Sequence, residues 1–192
     1  MFKQTVRTLP VIAALALAAC GDSTGPGQEQ EIISRVSLTL TPVGGGTAQV
    51  IYIDDADGLG PNAPSAQVGT LQLTQGTSYT GTVRFENRLV SPVENITEEV
   101  VTEADEHMVI YTVGGGAGVT VTTSDIDGSG RQLGVNFTAA TAAGAAVGAR
   151  TMRVVLCHYD ATPKPTTATA CSGDTDIDVS FNFGVIASLA AR

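Results

Sequence analysis

Two short segments carry carboxylates at alternate positions on a bending backbone: Asp55-Ala56-Asp57-Gly58 and Asp125-Ile126-Asp127-Gly128-Ser129-Gly130. Hard cations such as Ca²⁺ take six to eight oxygen ligands from loops of this kind. Asp55, Asp57, Asp125 and Asp127 are therefore the candidate metal ligands, with Ca²⁺ as the cofactor they would take. The first loop lacks a third ligand of an EF-hand-like series, and the second has Asn136 where a bidentate Glu would stand. The favoured reading is a plain turn with no cofactor, because Asp bonds its own backbone and Gly tolerates positive φ.

Other constellations are sparser. Asp174, Asp176 and Asp178 alternate along one strand pattern, which would put them on one face about 6.8 Å apart. They form either a cation ladder or a solvated edge that discourages pairing with other chains. The two histidines, His107 and His158, have no nucleophile motif beside them. His107 is expected at the end of a helix, where a cation meets the negative dipole end, and His158 at a strand end. Gly21-Asp22-Ser23-Thr24-Gly25 matches G-x-S-x-G, but a nucleophile elbow requires a strand-to-helix turn that this stretch does not supply. Paired carboxylates for hydrolysis are set by spatial separation, which sequence spacing does not give.

The elements that must position these groups are mostly strands. Val36, Leu38 and Leu40 alternate with Ser37, Thr39 and Thr41, and Ile177, Val179, Phe181 and Phe183 alternate with Asp176, Asp178, Ser180 and Asn182. Period-two patterning with one polar face is that of half-buried antiparallel strands. Similar runs recur around Val50, Leu71, Tyr79, Val109, Val119, Val135 and Met152. They predict an all-β domain over residues 32–186, a single antiparallel immunoglobulin-like β-sandwich of about nine strands, followed by a tail at 187–192. One segment breaks the rhythm. Asn95-Ile96-Thr97-Glu98 has the form of a capping box, and Ile96, Val100, Val101, Ala104 and Met108 fall at helical spacing, which predicts one short crossing helix near 95–106. Ala139 to Ala149, nearly all Ala and Gly, is expected as a linker loop. The Asp54–Gly60 and Ser124–Gly130 turns lie 70 residues apart in similar settings, a faint repeat that shared turn chemistry explains equally well.

The N-terminus is of another kind. Lys3 and Arg7 precede a short apolar run ending in Leu17-Ala18-Ala19-Cys20. The run is too short to span a bilayer, which takes roughly 20 apolar residues, and it has the layout of a secretory signal. The last four residues resemble the lipobox of bacterial lipoproteins. The resemblance implies a signal peptide at 1–19, lipidation of Cys20, and a membrane contact made through the N-terminal lipid. Residues 20–31, Gly/Pro-rich and polar, read as a flexible tether. Gly21 after the cysteine implies the outer membrane of a Gram-negative envelope. Segments such as Tyr79-Thr80-Gly81-Thr82-Val83 and Asp174-Thr175-Asp176-Ile177-Asp178 are similar to small Gram-negative envelope lipoproteins with a β-sandwich domain; this likeness brings no activity or site residue with it.

With Cys20 lipidated, Cys157 and Cys171 are left in an oxidising compartment, where a disulfide is the default; free thiols and a metal pair are the alternatives. The formal net charge of −9 sets the chain against phosphate backbones, so no nucleic-acid partner is expected. Trp is absent and aromatics make up 5% of residues, which argues against a stacking platform for sugars or bases. The function expected is a non-enzymatic envelope module that binds an unspecified protein or small-molecule partner through loops at one end of the sandwich. A calcium-binding module and a hydrolase with buried carboxylates are the alternatives.

Overall fold

A computed structural model describes residues 31–58 and 60–188; the lipobox and Cys20 lie outside them. Nine strands and one helix follow in order among the described residues: β1 (Arg35–Pro42), β2 (Gln49–Asp54), β3 (Gln72–Thr74), β4 (Ser78–Glu86), α1 (Ile96–Thr102), β5 (His107–Gly114), β6 (Val119–Thr123), β7 (Asn136–Thr141), β8 (Gly148–His158) and β9 (Asp174–Ile186). They form two sheets, ordered β2-β1-β4-β7-β6 and β3-β9-β8-β5. With β2 and β3 set aside, β1-β4-β7-β6 and β5-β8-β9 follow the A-B-E-D and C-F-G strand orders of an immunoglobulin sandwich. The fold is thus the all-β sandwich that the alternation predicts.

Alternation builds the core directly. The even-numbered face of β1 and the odd-numbered face of β4 turn inward, burying Leu38, Leu40, Tyr79, Val83 and Phe85. Phe181 and Phe183 close over them from β9, with Met152, Val154 and Leu156 from β8. Full burial of a side chain of this kind contributes roughly 1.5–3 kcal/mol. Gly81 is required by packing: a Cβ there would collide with the Phe137 ring.

Four expectations are corrected. The helix is shorter than 95–106, ending at Thr102. Asn95 does not cap it through its side chain; its Nδ2 donates to Glu98 Oε1 (2.6 Å), and the Glu98 N–H goes to the Asn95 main-chain carbonyl (3.0 Å). Glu103, Asp105 and Glu106 follow with no basic residue in the last turn, an unfavourable charge for the negative end of a helix dipole. Of the supposed apolar stripe only Ile96 and Val100 are buried within α1; Val101 is exposed and Met108 belongs to β5.

The Ala-rich stretch is only partly a loop. Ala139 to Thr141 complete β7, because a small inward side chain at Ala139 is what fits opposite the buried Tyr79. The sandwich is not wholly antiparallel either, since β3 runs parallel to β9.

Finally, the three aspartates of β9 do not share a face. The β8–β9 register shifts by one residue between Leu156, paired with Ile177, and Cys157, paired with Thr175. Asp176 is the extra residue. A bulge re-aims a side chain in this way, so Asp176 is buried while Asp174 and Asp178 stay exposed.

Cys157 and Cys171 form a disulfide, with Cα atoms 5.5 Å apart. The bridge does not join the two sheets. It ties the end of β8 to the loop that leads into β9, and closing a loop of this length contributes about 3 kcal/mol in the chain-entropy description.

Candidate functional site

The connections β4–β5, β6–β7 and β8–β9 all emerge at one end of the sandwich, the end from which β1 also starts. The register of β5 on β8 makes His107 and His158 the last cross-strand pair of that ladder. They continue the inward face of Val109 and Leu156, whereas Met108 and Cys157 face the outer layer with Ile110, Val155 and Tyr159. The two imidazoles stack, centroids 4.4 Å apart and planes inclined by 20°. The bulge of β9 aims Asp176 at both. His107 Nε2 lies 3.8 Å from Asp176 Oδ2, and His158 Nδ1 lies 3.9 Å from Asp176 Oδ1.

Each ring presents its other nitrogen to an oxygen. His107 Nδ1 is 3.2 Å from the Glu103 carbonyl, and His158 Nε2 faces the Glu106 carboxylate at 3.6 Å. His107 is 0% exposed, His158 8% and Asp176 7%. Two polar atoms of the cluster, His107 Nε2 and Asp176 Oδ2, are buried without a hydrogen-bond partner.

The electrostatics follow from that isolation. Burial, and then the His158 imidazole nearby, push the His107 imidazole down to about 4. Burial pushes the Asp176 carboxyl up to about 6, against the opposing pull of His158. Glu31 approaches from the chain entry. Burial, a hydrogen bond with Glu99, and the charges of Glu99, Asp176 and Glu103 raise its carboxyl above the usual range. Ligating atoms of His107, His158 and Asp176 all lie within 4.8 Å of one another, as do those of Glu31, Glu103 and His107.

The loop between β8 and β9 locks this end. The Tyr159 N–H donates to the Glu106 carbonyl (2.8 Å), and the Gln132 N–H to the Thr166 carbonyl (2.8 Å). Lys164 Nζ is fully buried and donates to the Ala104 carbonyl (2.6 Å) and to Asp127 Oδ2 (3.2 Å). A cleft of about 360 Å³ beside it is lined by Asp105, Glu106, Arg131, Tyr159, Asp160 and Lys164, among others. Glu106 thus borders both the cleft and His158. A second groove, about 430 Å³, runs along Gln67, Leu71, Gln72, Asn182 and Gly184 and carries no titratable side chain.

The turn aspartates behave as turn residues. Asp125 accepts the N–H groups of Gly134 and Asn136, each at 2.8 Å, and Gly134 takes the positive φ that this closure requires. Asp127 Oδ1 accepts the N–H groups of Ser129 and Arg131, while Oδ2 takes Arg131 Nε at 2.7 Å and Lys164 Nζ. The cations at Asp127 are therefore the Arg131 guanidinium and the Lys164 ammonium of the chain itself. Asp55 accepts the Asp57 N–H, and Asp57 holds the backbone and side chain of Asn62. The two turns leave β2 and β6, opposite edges of the five-stranded sheet. Four inter-strand steps separate them, roughly 19 Å, so one ion cannot be shared by all four carboxylates.

Sequence reading placed His158 correctly at a strand end but expected His107 at the end of the helix, whereas α1 stops at Thr102 and His107 opens β5; it took each histidine alone, and took Asp176 as part of a surface ladder. What brings the three together is strand register and a bulge, neither of which has a signature in the residues concerned. Comparison with protein-family models, with curated proteins and with solved structures gave no match.

Proposed function

We propose that this chain is a lipid-anchored, non-enzymatic protein of the outer membrane whose sandwich binds one small ligand at the cluster of His107, His158 and Asp176. The lipobox Leu17-Ala18-Ala19-Cys20 supports the anchor, and two or more acyl chains hold a protein firmly to a membrane where one does so only marginally. The chain enters the sandwich at Ile32–Ser34, beside Glu86 and at the same end as the cluster.

One observation carries the binding reading. His107 Nε2 and Asp176 Oδ2 are buried, face each other, and have no partner. A buried polar atom left unpaired costs about 1–3 kcal/mol, so the arrangement works against folding and is accounted for by a ligand that completes it. The deep burial of both imidazoles supports binding of something small in preference to chemistry on a bulky substrate.

Two experiments test the two halves. Cys20→Ser should abolish incorporation of labelled fatty acid and move the protein from the membrane fraction to the soluble one; unchanged acylation or fractionation refutes the anchor. Asp176→Leu, measured by denaturant unfolding in the presence of a chelator, should raise stability by about 1 kcal/mol, because removing a desolvated charge is favourable. A clear loss of stability would show that the cluster serves the fold, and would end the binding reading.

A further inference from the structure

We propose that the ligand of this cluster is a divalent transition metal of the zinc class, bound by His107 Nε2, His158 Nδ1 and the Asp176 carboxylate; this rests on the reading of the cluster as a binding site. The donor set selects the metal. Two imidazole nitrogens and one carboxylate suit zinc and its first-row neighbours, whereas calcium and magnesium require a shell made almost wholly of oxygen.

The second argument is tautomeric. An imidazole that ligates a metal almost always donates its other N–H to a carbonyl or a carboxylate, which fixes the ring and leaves the ligating nitrogen bare. One ring here is set in that way, and the other has a carboxylate beside it beyond hydrogen-bond reach. His107 Nδ1 meets the Glu103 carbonyl at 3.2 Å, and His158 Nε2 faces Glu106 at 3.6 Å. The nitrogen thereby left bare on His107 is Nε2, which faces Asp176 and is among the buried atoms without a partner; His158 Nδ1 faces the same carboxylate.

The distances are close to those of a metal site, while the ring orientations must change on binding. Zinc bonds of about 2.0–2.1 Å at tetrahedral angles set neighbouring ligand atoms roughly 3.3 Å apart. The separations of 3.8 and 3.9 Å to Asp176 close to that value when the two rings turn out of their stack, so that both lone pairs converge on the ion. The disulfide and the buried Lys164 fix the backbone on either side of His158, Asp176 and Glu106.

Charge points the same way. Glu31, Glu103 and Glu106 surround the cluster, and the nearest buried cation, Lys164, is spent on Asp127. A dication supplies the positive charge that the Asp176 carboxylate lacks. Three protein ligands leave a fourth position to water, the pattern of an exchangeable site in contrast to a sealed structural one.

The test is calorimetric titration of ZnCl₂ into the mature, disulfide-bonded protein in detergent after chelator treatment, with thermal unfolding in parallel. The oxidised state keeps Cys157 and Cys171 from binding zinc. One equivalent should bind with micromolar or tighter affinity and raise the melting temperature, as a ligand specific to the native state must. His158→Gln and Asp176→Asn, close in shape to the originals, should each weaken binding more than about tenfold, and Glu106→Gln by about tenfold through the orientation of His158. Absence of zinc binding, or binding that persists unchanged in both His158→Gln and Asp176→Asn, overturns the proposal. If zinc fails to bind while Asp176→Leu still stabilises the chelator-treated protein, the site takes another ligand and only the metal assignment falls. If Asp176→Leu destabilises it, the underlying reading falls as well.

Discussion

Asp127 and Asp176 are buried carboxylates at the same end of one sandwich, and their surroundings drive them in opposite directions. Burial alone would raise both. At Asp127 the N–H groups of Arg131 and Ser129, the Arg131 guanidinium and the Lys164 ammonium outweigh burial and hold the carboxyl well below its ordinary range. At Asp176 no donor lies within hydrogen-bond reach of Oδ2, and the carboxyl rises to about 6. Burial therefore does not by itself mark a functional carboxylate. The informative quantity is how many donors the fold supplies to it. A turn that closes on its own acid is finished architecture, while an acid facing two imidazoles without a shared proton is an incomplete one.

The largest effect that would sharpen this contrast comes from Asp127→Ala. It strands Lys164, whose side chain is 0% exposed, and breaking a buried pair by removing one partner costs about 3–5 kcal/mol. Denaturant unfolding should show that loss, opposite in sign to the gain expected for Asp176→Leu. Equal signs for the two substitutions would erase the distinction between the corners.

A smaller effect is the acid limb of the stability profile. In the unfolded chain the Asp127 carboxyl titrates near 3.9, whereas in the folded protein it titrates well below. Above about pH 4 both states are ionised and the full contribution of this group is present. As pH falls below that value the unfolded chain takes up the proton first, and the contribution is lost progressively until the folded group is also protonated. Wild type should therefore lose stability faster than Asp127→Asn below pH 4, by at most about 1.4 kcal/mol per pH unit. Parallel profiles would show that the corner contributes nothing through its charge.

Much of the fold was legible in the residues. Each of the nine alternating runs became a strand, because a period of two buries one face wherever the pairing places it. The cysteine pair was legible as well, once Cys20 was set apart by its apolar neighbours. The helix was half legible: Ile96 and Val100 gave its buried stripe, but its acidic C-terminal side cut it short. Least legible was the site. Asp55, Asp57, Asp125 and Asp127 drew attention because ligand-like spacing is a local pattern. Turn closure uses the same local pattern, and the turns took up most of those oxygens, Asp57 Oδ1 being left without a partner. His107, His158 and Asp176 have no local pattern at all, since 51 and 18 residues of chain separate them in turn.

What the sequence by itself determined is a matter of short range: which residues alternate, where glycine and aspartate let the chain turn, and the charge balance. These depend on neighbours a few positions away, so they are written in consecutive letters. Tertiary structure alone decided that the first residue of β5 meets the last of β8, and that one supernumerary residue in β9 swings its carboxylate from the surface to those rings. The reason is that ladder register and bulge position are set by the packing of whole sheet faces, a long-range sum in which no single residue of the cluster has a controlling share.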